Sequence, residues 1–167
     1  MMLTRPNLVF LVFLLVFLEL VAACNLSPHP TDHVLEEGLK SNQEGFDALI
    51  RMLAEDEDIV RIDKNFVFLS EGSDREVPKE RLQVYRDLFA KLKLEGGFHR
   101  DKDNALRFIA SSRGTSIPSS EKSYVYCTNP RTQSVDSLDY VIKRDRGDQR
   151  PIYKRIHGDW YLYYESW

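Results

Sequence analysis

The sequence predicts an α+β domain in which N-terminal helices pack on a mainly antiparallel sheet that is closed by a C-terminal β-hairpin. Three observations lead to this fold class. Apolar residues recur at helical spacing in two separate segments of the chain. Short runs of β-branched and aromatic residues, bounded by turn-forming residues, fill much of the remainder. Two further strand-like segments end the chain, joined by the two-residue connection Gly158-Asp159.

The first 23 residues are predicted to be a signal peptide and not a part of this domain. Arg5 makes the extreme N-terminus positive, and residues 8–18 form an unbroken apolar run that Glu19 closes. A membrane-spanning helix needs ~20 apolar residues because the hydrocarbon core is ~30 Å thick. The positive start, short apolar run and small residues are typical of a secretory signal. The alternative, a buried helix, would have no polar face.

The end of this segment reads Val21-Ala22-Ala23-Cys24 and resembles the lipobox of bacterial lipoproteins. The resemblance implies cleavage between Ala23 and Cys24, a diacylglyceryl thioether on Cys24, and an acyl group on its new amine. Two or more acyl chains hold a protein on a membrane stably, whereas one holds it reversibly. An ordinary secretory signal followed by a chance cysteine is the alternative. Asn25 stands where inner-membrane lipoproteins carry Asp, which favours an outer-membrane location.

The mature chain is predicted to consist of a lipidated tether, residues 24–31, and a single α+β domain, residues 32–167. A domain of this length buries enough surface to be stable without disulfides. Cys127 is the only other cysteine, so no internal disulfide can form once Cys24 is lipidated. The formal net charge of −3 gives no basic footprint, and we predict no nucleic-acid partner.

Three helices are predicted, and the second and third carry the clearest signals. A short helix is expected at Asp32 to Leu39, and a capping box at Ser41-Asn42-Gln43-Glu44 starts another that ends near Glu55. A third begins with Pro78 at its first position and ends before Gly96. The apolar stripes are Phe46, Leu49, Ile50 and Leu53 in the second helix, and Leu82, Tyr85, Phe89 and Leu92 in the third.

The remaining elements are short strands. They are predicted at Ile59–Ile62, Phe66–Leu69, Leu106–Ala110, Ser123–Thr128, Ile152–His157 and Trp160–Glu165. Residues 111–120, rich in serine, glycine and proline, are expected to form a loop, and residues 135–142 fit a short helix with weak flanks.

The closing hairpin concentrates aromatic residues. A regular register pairs His157 with Trp160, Arg155 with Leu162 and Tyr153 with Tyr164. We predict that the row containing Trp160, Leu162 and Tyr164 is core.

The opposite face of this hairpin is the predicted interaction surface. Tyr161 and Tyr163 lie on it, with Lys154 and Trp167 nearby. Tyrosine and tryptophan suit interfaces because they give a large contact area for little loss of rotamer entropy.

A second resemblance rests on "DIVRI", "PKERLQVYRDLF", "FIASSRG", "YVYC" and the closing "IHGDWYLYYE". This pattern is similar to that of a group of small bacterial proteins of unknown function and covers most of residues 42–167. It implies a recurring, self-contained domain and brings no activity, ligand or catalytic residue with it.

No motif in the sequence indicates catalysis, a metal or a cofactor, and we predict none. His29, His33, His99 and His157 lack metal-ligand spacing. Asp101 and Asp103 alternate without the glycine of a calcium loop, and Cys127 fits a buried small hydrophobe. The integrin-type tripeptide Arg146-Gly147-Asp148 is expected to be a chance match.

These observations predict a lipid-anchored protein of the bacterial cell envelope whose domain is a non-enzymatic binding module. Its expected partners are membrane lipid, through Cys24, and an envelope protein or component. A small envelope hydrolase and an inhibitor or immunity-type lipoprotein are the alternatives. A hydrolase requires a concave pocket in which His99 or His157 meets a carboxylate and a Ser or Cys.

Overall fold

The computed structural model describes residues 29–114, 119–129, 134–144 and 150–167. The predicted signal peptide, Cys24, and the tripeptide Arg146-Gly147-Asp148 lie outside these ranges. The interpretations placed on them therefore remain predictions.

Four helices and seven strands are found in the described ranges, and they confirm the α+β class. The helices are α1 (Asp32–Ser41), α2 (Gln43–Glu55), α3 (Lys79–Lys91) and α4 (Leu138–Arg144). The strands are β1 (Ile59–Ile62), β2 (Val67–Leu69), β3 (Gly97–Arg100), β4 (Leu106–Arg113), β5 (Ser120–Tyr126), β6 (Ile152–His157) and β7 (Trp160–Ser166). No helix in the described residues is both long enough and apolar enough to cross a membrane.

The strands form one sheet in the order β2-β1-β3-β4-β5-β7-β6. All six neighbouring pairs are antiparallel. The sheet is open: β2 and β6 are its two edges, and the C-terminal hairpin forms one edge without closing the sheet. The helix α3 lies between β2 and β3 in the sequence. The first hairpin therefore joins the rest of the sheet, through the β1–β3 pair, by a connection that contains a helix.

The main hydrophobic core lies between the helices and one face of the sheet. Phe46 of α2 is at its centre and makes edge-on ring contacts with Phe108, Tyr124 and Trp160 at centroid distances of 5.8, 4.9 and 5.3 Å. Trp160, Leu162 and Tyr164 are all buried in this core, which confirms the predicted row. Among the described residues, this arrangement leaves the other face of the sheet without helices.

A buried carboxylate, Asp56, joins α2 to α3. It follows the last residue of α2 and accepts hydrogen bonds from Tyr85 Oη and Arg81 Nε, both at 2.8 Å, and from Arg75. Burial alone would raise the pKa of Asp56, but the bonds from Arg75, Arg81 and Tyr85 outweigh it and the pKa is lowered.

A second buried ion pair joins α1 and α4 to the sheet. Lys122 of β5 is fully buried, and its Nζ lies 2.7 Å from both Asp32 Oδ1 and Asp139 Oδ1. The same Asp32 accepts the Leu138 backbone N–H at 2.9 Å, at the start of α4. Burial raises the pKa of Asp32, but Lys122 and Lys154 outweigh this effect, so its pKa is lowered.

The described chain is already packed at His29, although residues 24–31 were predicted to be a tether. His29 Nδ1 and Nε2 lie 2.7 and 2.8 Å from the hydroxyls of Ser111 and Ser120. Lys122 Nζ donates to the Pro30 carbonyl at 2.9 Å. Burial lowers the pKa of His29 to about 4, assisted by the positive charges of Arg113 and Lys122.

The helix ends differ from the predictions in three places. Pro78 is the N-cap of α3 and not its first residue, which is Lys79. Ser41 ends α1 and Asn42 is the N-cap of α2 without a side-chain capping bond, so the predicted capping box does not form. The helix α3 ends at Lys91, and Lys93, with φ 57°, takes the left-handed conformation that was expected at Gly96. Gly97 instead begins β3, which was not predicted.

The C-terminal hairpin has the predicted strands but a different register. His157 pairs with Trp160 as predicted, but Arg155 then pairs with Tyr161, so Ile156 is an extra residue in a β-bulge. Tyr153 consequently pairs with Tyr163 and not with Tyr164. A one-residue shift exchanges the faces of a strand, so the predicted pairing of Arg155 with Leu162 is wrong and Lys154 pairs with Leu162 instead.

Candidate functional site

The face of the sheet without helices is concave. His99 of β3 and Tyr153 of β6 border the same depression of about 810 Å³. Four strand steps separate β3 from β6 in the sheet order, and in a flat sheet they would lie ~19 Å apart. The sheet must therefore curl around this face. Curling also explains why Val125, Tyr161 and Tyr163 are buried although no helix covers them.

A cavity of about 560 Å³ opens on this concave face. Such a volume is within the usual range for small-molecule sites. Its walls are mainly charged and polar. Those that carry charge or a ring nitrogen are Arg61, Asp63, Glu95, His99, Arg107, Glu121 and Glu165; Ser112, Ile109, Gly96 and Trp167 complete the lining.

Arg107 of β4 is the centre of this cavity wall. Its side chain is only 13% exposed, and its guanidinium carbon lies 4.8 Å from the centre of the Tyr163 ring. Its nitrogens lie 3.1 Å from Asp101 Oδ1, 3.6 Å from Glu121 Oε1 and 4.0 Å from Glu165 Oε2. Burial alone would lower the pKa of Arg107, but Glu121 and Asp101 outweigh it, so the pKa is raised. The guanidinium is thus a fixed positive charge among three carboxylates.

His99 faces Arg107 across the β3–β4 pair, and this contact fixes its tautomer. Arg107 Nη2 lies 2.6 Å from His99 Nδ1. A guanidinium has no acceptor, so Nδ1 must accept and the ring proton must be on Nε2. His99 Nδ1 also lies 3.3 Å from Asp101 Oδ1, and in this tautomer both atoms are acceptors. Arg107 Nη2 contacts both of them and so bridges the two. We prefer this assignment because the Arg107 distance is the shorter one.

Glu121 and Glu165 are directly opposite each other on β5 and β7. Like charges in this position destabilise a sheet unless other groups compensate. Ser123 Oγ donates to Glu121 Oε1 at 2.7 Å, and Tyr163 Oη donates to Glu165. Burial and the neighbouring Glu165 carboxylate both raise the pKa of Tyr163, so its hydroxyl stays a donor. These bonds hold the two carboxylates at the cavity wall.

The structure separates the four residues of the predicted interaction surface. Tyr161 and Tyr163 are buried, with 4% and 3% of their surface exposed, so their rings cannot form an exposed aromatic surface. The side chain of Lys154 lies on the helix side of the sheet, where its Nζ is 2.6 Å from Glu36 Oε1. Trp167 alone is exposed, at 42%. The error came from the assumed hairpin register and from the unforeseen curl of the sheet.

The other sequence candidates lie apart from one another. His29 is held by Ser111 and Ser120, and the Cys127 thiol is buried with its Sγ 3.4 Å from the Asn129 carbonyl. Across the described ranges no three His, Cys, Asp or Glu side chains are grouped so that they could hold a metal ion.

The sequence interpretation missed most of the cavity wall, including the three residues at its centre, Arg107, Glu121 and Glu165. Each is a charged residue in a strand that also carries buried apolar or aromatic residues. Charged residues at inward-facing strand positions are the signal that could have indicated them, since such positions normally carry apolar side chains.

Comparison with known proteins does not assign this site: no protein-family model, curated protein or solved structure matches the chain.

Proposed function

We propose that this is a lipid-anchored protein of the bacterial cell envelope, and that its domain is a non-enzymatic binding module whose site is the cavity on the concave face. The anchor rests on the resemblance of Val21-Ala22-Ala23-Cys24 to a lipobox. The site rests on one observation: a cavity of about 560 Å³ whose wall is organised around a buried arginine.

The charges of the wall favour a polar ligand with a positive group. Four carboxylates line the cavity, those of Asp63, Glu95, Glu121 and Glu165, against the two guanidinium groups of Arg61 and Arg107. A ligand cation would balance this excess of negative charge, and charge-assisted hydrogen bonds to carboxylates are roughly twice as strong as neutral ones. An envelope component bearing an amine fits this wall better than an acidic one.

The enzyme alternative has one specific observation in its favour, the proximity of His99 to Asp101 in a concave pocket. A hydrolase also needs a nucleophile within hydrogen-bond reach of the base. Within the described ranges, the Ser111 and Ser120 hydroxyls bond His29, and Ser123 bonds Glu121. Ser112 lines the same cavity as His99, but no hydrogen bond joins these two described residues. Binding is therefore the better-supported function. The inhibitor or immunity-type alternative differs only in having a protein as its ligand.

Radiolabelled palmitate tests the anchor. We expect label in the wild-type protein and none in Cys24→Ser, which should also leave the membrane fraction. An unlabelled wild-type protein would contradict the lipoprotein assignment.

A pair of four-carbon probes, putrescine and succinate, tests the site by calorimetry or ligand-observed NMR. We expect putrescine to bind, and Glu121→Gln to weaken it about tenfold, because a bond between charged groups is lost. Glu37→Gln, an exposed change on α1, is the control and should bind as the wild type does. Preference for succinate, or binding unaffected by Glu121→Gln, would contradict the assigned ligand chemistry. Failure of both probes together with a protein captured by crosslinking in cells would favour the inhibitor alternative.

A further inference from the structure

The place where the N-terminal segment meets the domain is fixed at one end of the sheet. His29 is bonded through both ring nitrogens to Ser111 and Ser120, at 2.7 and 2.8 Å. Its ring also lies edge-on to Tyr164 at a centroid distance of 5.7 Å. These contacts place His29 beside the last residues of β4 and the first residue of β5. We call this the tethered end of the sheet, formed by Ser111–Arg113, Ser119–Ser120 and Ser166–Trp167.

Trp167 lies at this same end. Ser120, which bonds His29, pairs with Ser166 in the β5–β7 ladder. The backbones of Trp167 and Ser119 exchange two hydrogen bonds, of 2.9 and 2.7 Å, which hold the tryptophan in place. Its side chain is nevertheless exposed, at 42%. An exposed indole on a fixed backbone therefore lies at the same end of the sheet as the docked His29.

Covalent geometry limits how far this end can be from a lipid on Cys24. Five residue steps separate positions 24 and 29, and an extended chain covers at most ~3.6 Å per residue, or about 18 Å in all. The headgroup layer on each side of a bilayer is itself roughly 5–7 Å thick. With a lipid on Cys24, His29 at the tethered end is held within about 18 Å of the attachment point, whatever conformation the segment takes.

We propose that the tethered end of the sheet is a membrane-contact surface, and that the indole of Trp167 inserts into the lipid headgroup region. The inference rests on the lipid anchor of the proposed function. Tryptophan favours this layer because its ring is apolar and its N–H still finds acceptors. Arg113 at the same end is paired with Glu95 Oε2 at 2.8 Å, so the contact requires no anionic lipid.

Brominated lipids test this contact through tryptophan fluorescence. The lipidated full-length protein is reconstituted in phosphatidylcholine vesicles with bromine near the headgroup end of the acyl chains. The only other tryptophan, Trp160, is 3% exposed in the core, so Trp167→Phe supplies its background signal. We expect quenching in the wild type that is lost in Trp167→Phe. Equal quenching in the two proteins would overturn the inference.

A second indole provides a matched control. His157 is exposed beside the hairpin turn, and the length of β7 separates it by ~20 Å from the tethered end. In the Trp167→Phe background, His157→Trp should therefore be unquenched. Quenching of this indole would overturn the assigned orientation.

Failure of the anchor gives a different result. If wild-type protein carries no palmitate, the lipoprotein proposal falls and the contact falls with it. If the protein is labelled and remains with the vesicles, but Trp167 is not quenched, only the contact surface is wrong.

Discussion

At the scale of single residues, stability depends on a few buried charges. Asp56 is 3% exposed and accepts hydrogen bonds from Tyr85, Arg81 and Arg75. Removal of one partner from a buried ionic group costs more than the pair contributes, because the remaining groups are left desolvated and unpaired.

We expect Asp56→Ala to lower the free energy of unfolding by about 3–5 kcal/mol, measured by urea denaturation. Glu55→Ala is the matched control because Glu55 bonds the same Arg81 but its side chain is 68% exposed. This control should cost no more than about 1 kcal/mol. Equal losses in the two variants would show that Asp56 is not the hub of the network.

His29 gives a prediction on pH. Its pKa is lowered from 6.5 to about 4 in the folded protein, so folding favours the neutral ring. The unfolded chain then binds more protons between these values, and the contribution of His29 to stability, complete above pH 6.5, is lost as pH falls towards 4.

The stability of the wild type relative to His29→Gln should therefore fall over this window by about 1–2 kcal/mol, after allowance for screening by solvent. Thermal denaturation of both proteins at several pH values measures this difference. A constant difference between pH 7 and pH 4 would contradict the lowered pKa.

At the scale of elements, strand and helix positions followed from local sequence patterns, whereas pairing and curvature did not. Ile59–Ile62 and Ile152–His157 were predicted with their observed bounds. The strand β3 was missed because Gly96-Gly97 was interpreted as a helix end, although a glycine also permits close approach of two backbones. The bulge at Ile156 has no signature in the sequence of the hairpin, and it determines which side chains of β6 share a face with Tyr161 and Tyr163.

Gly97 is required at the junction of β1 and β3. Its φ is +75°, and a Cβ there would lie 2.2 Å from the Ile62 carbonyl oxygen. Gly97→Ala should lower the free energy of unfolding by about 3 kcal/mol or more, since overpacking adds to the strain of a left-handed residue. Gly72→Ala is the control: its φ is +84° but nothing lies within 4 Å. It should cost about 1–2 kcal/mol, and an equal loss in the two variants would exclude the steric explanation.

At the scale of the whole molecule, the buried Lys122 links parts of the chain that are far apart in sequence. It contacts Asp32 of α1 and Asp139 of α4 from the middle of the sheet. Sequence analysis could not foresee this junction or the cavity wall, because both depend on contacts between residues far apart in sequence, such as Lys122 with Asp32 and Arg107 with Glu165.

Lys122→Met should destabilise the domain by about 3–5 kcal/mol, because Asp32 is left buried without its main counter-charge. Hydrogen exchange should accelerate first in α1 and α4, the two helices that the lysine holds. Lys40→Met, an exposed change on α1, is the control and should alter stability by less than about 0.5 kcal/mol. Unchanged exchange in α1 would mean that the apolar contacts of Leu35 and Leu39 hold this helix without the lysine.

Trp167 belongs to two features of the molecule: it borders the cavity, and it lies at the end of the sheet where His29 docks. If the cavity binds a ligand and the indole enters lipid, as proposed above, the two events share Trp167 and are linked equilibria. The coupling free energy is reciprocal: the factor by which lipid insertion changes the affinity for ligand is the factor by which ligand changes the affinity for lipid. Such a protein would bind its ligand with different affinities in its membrane-bound and free forms.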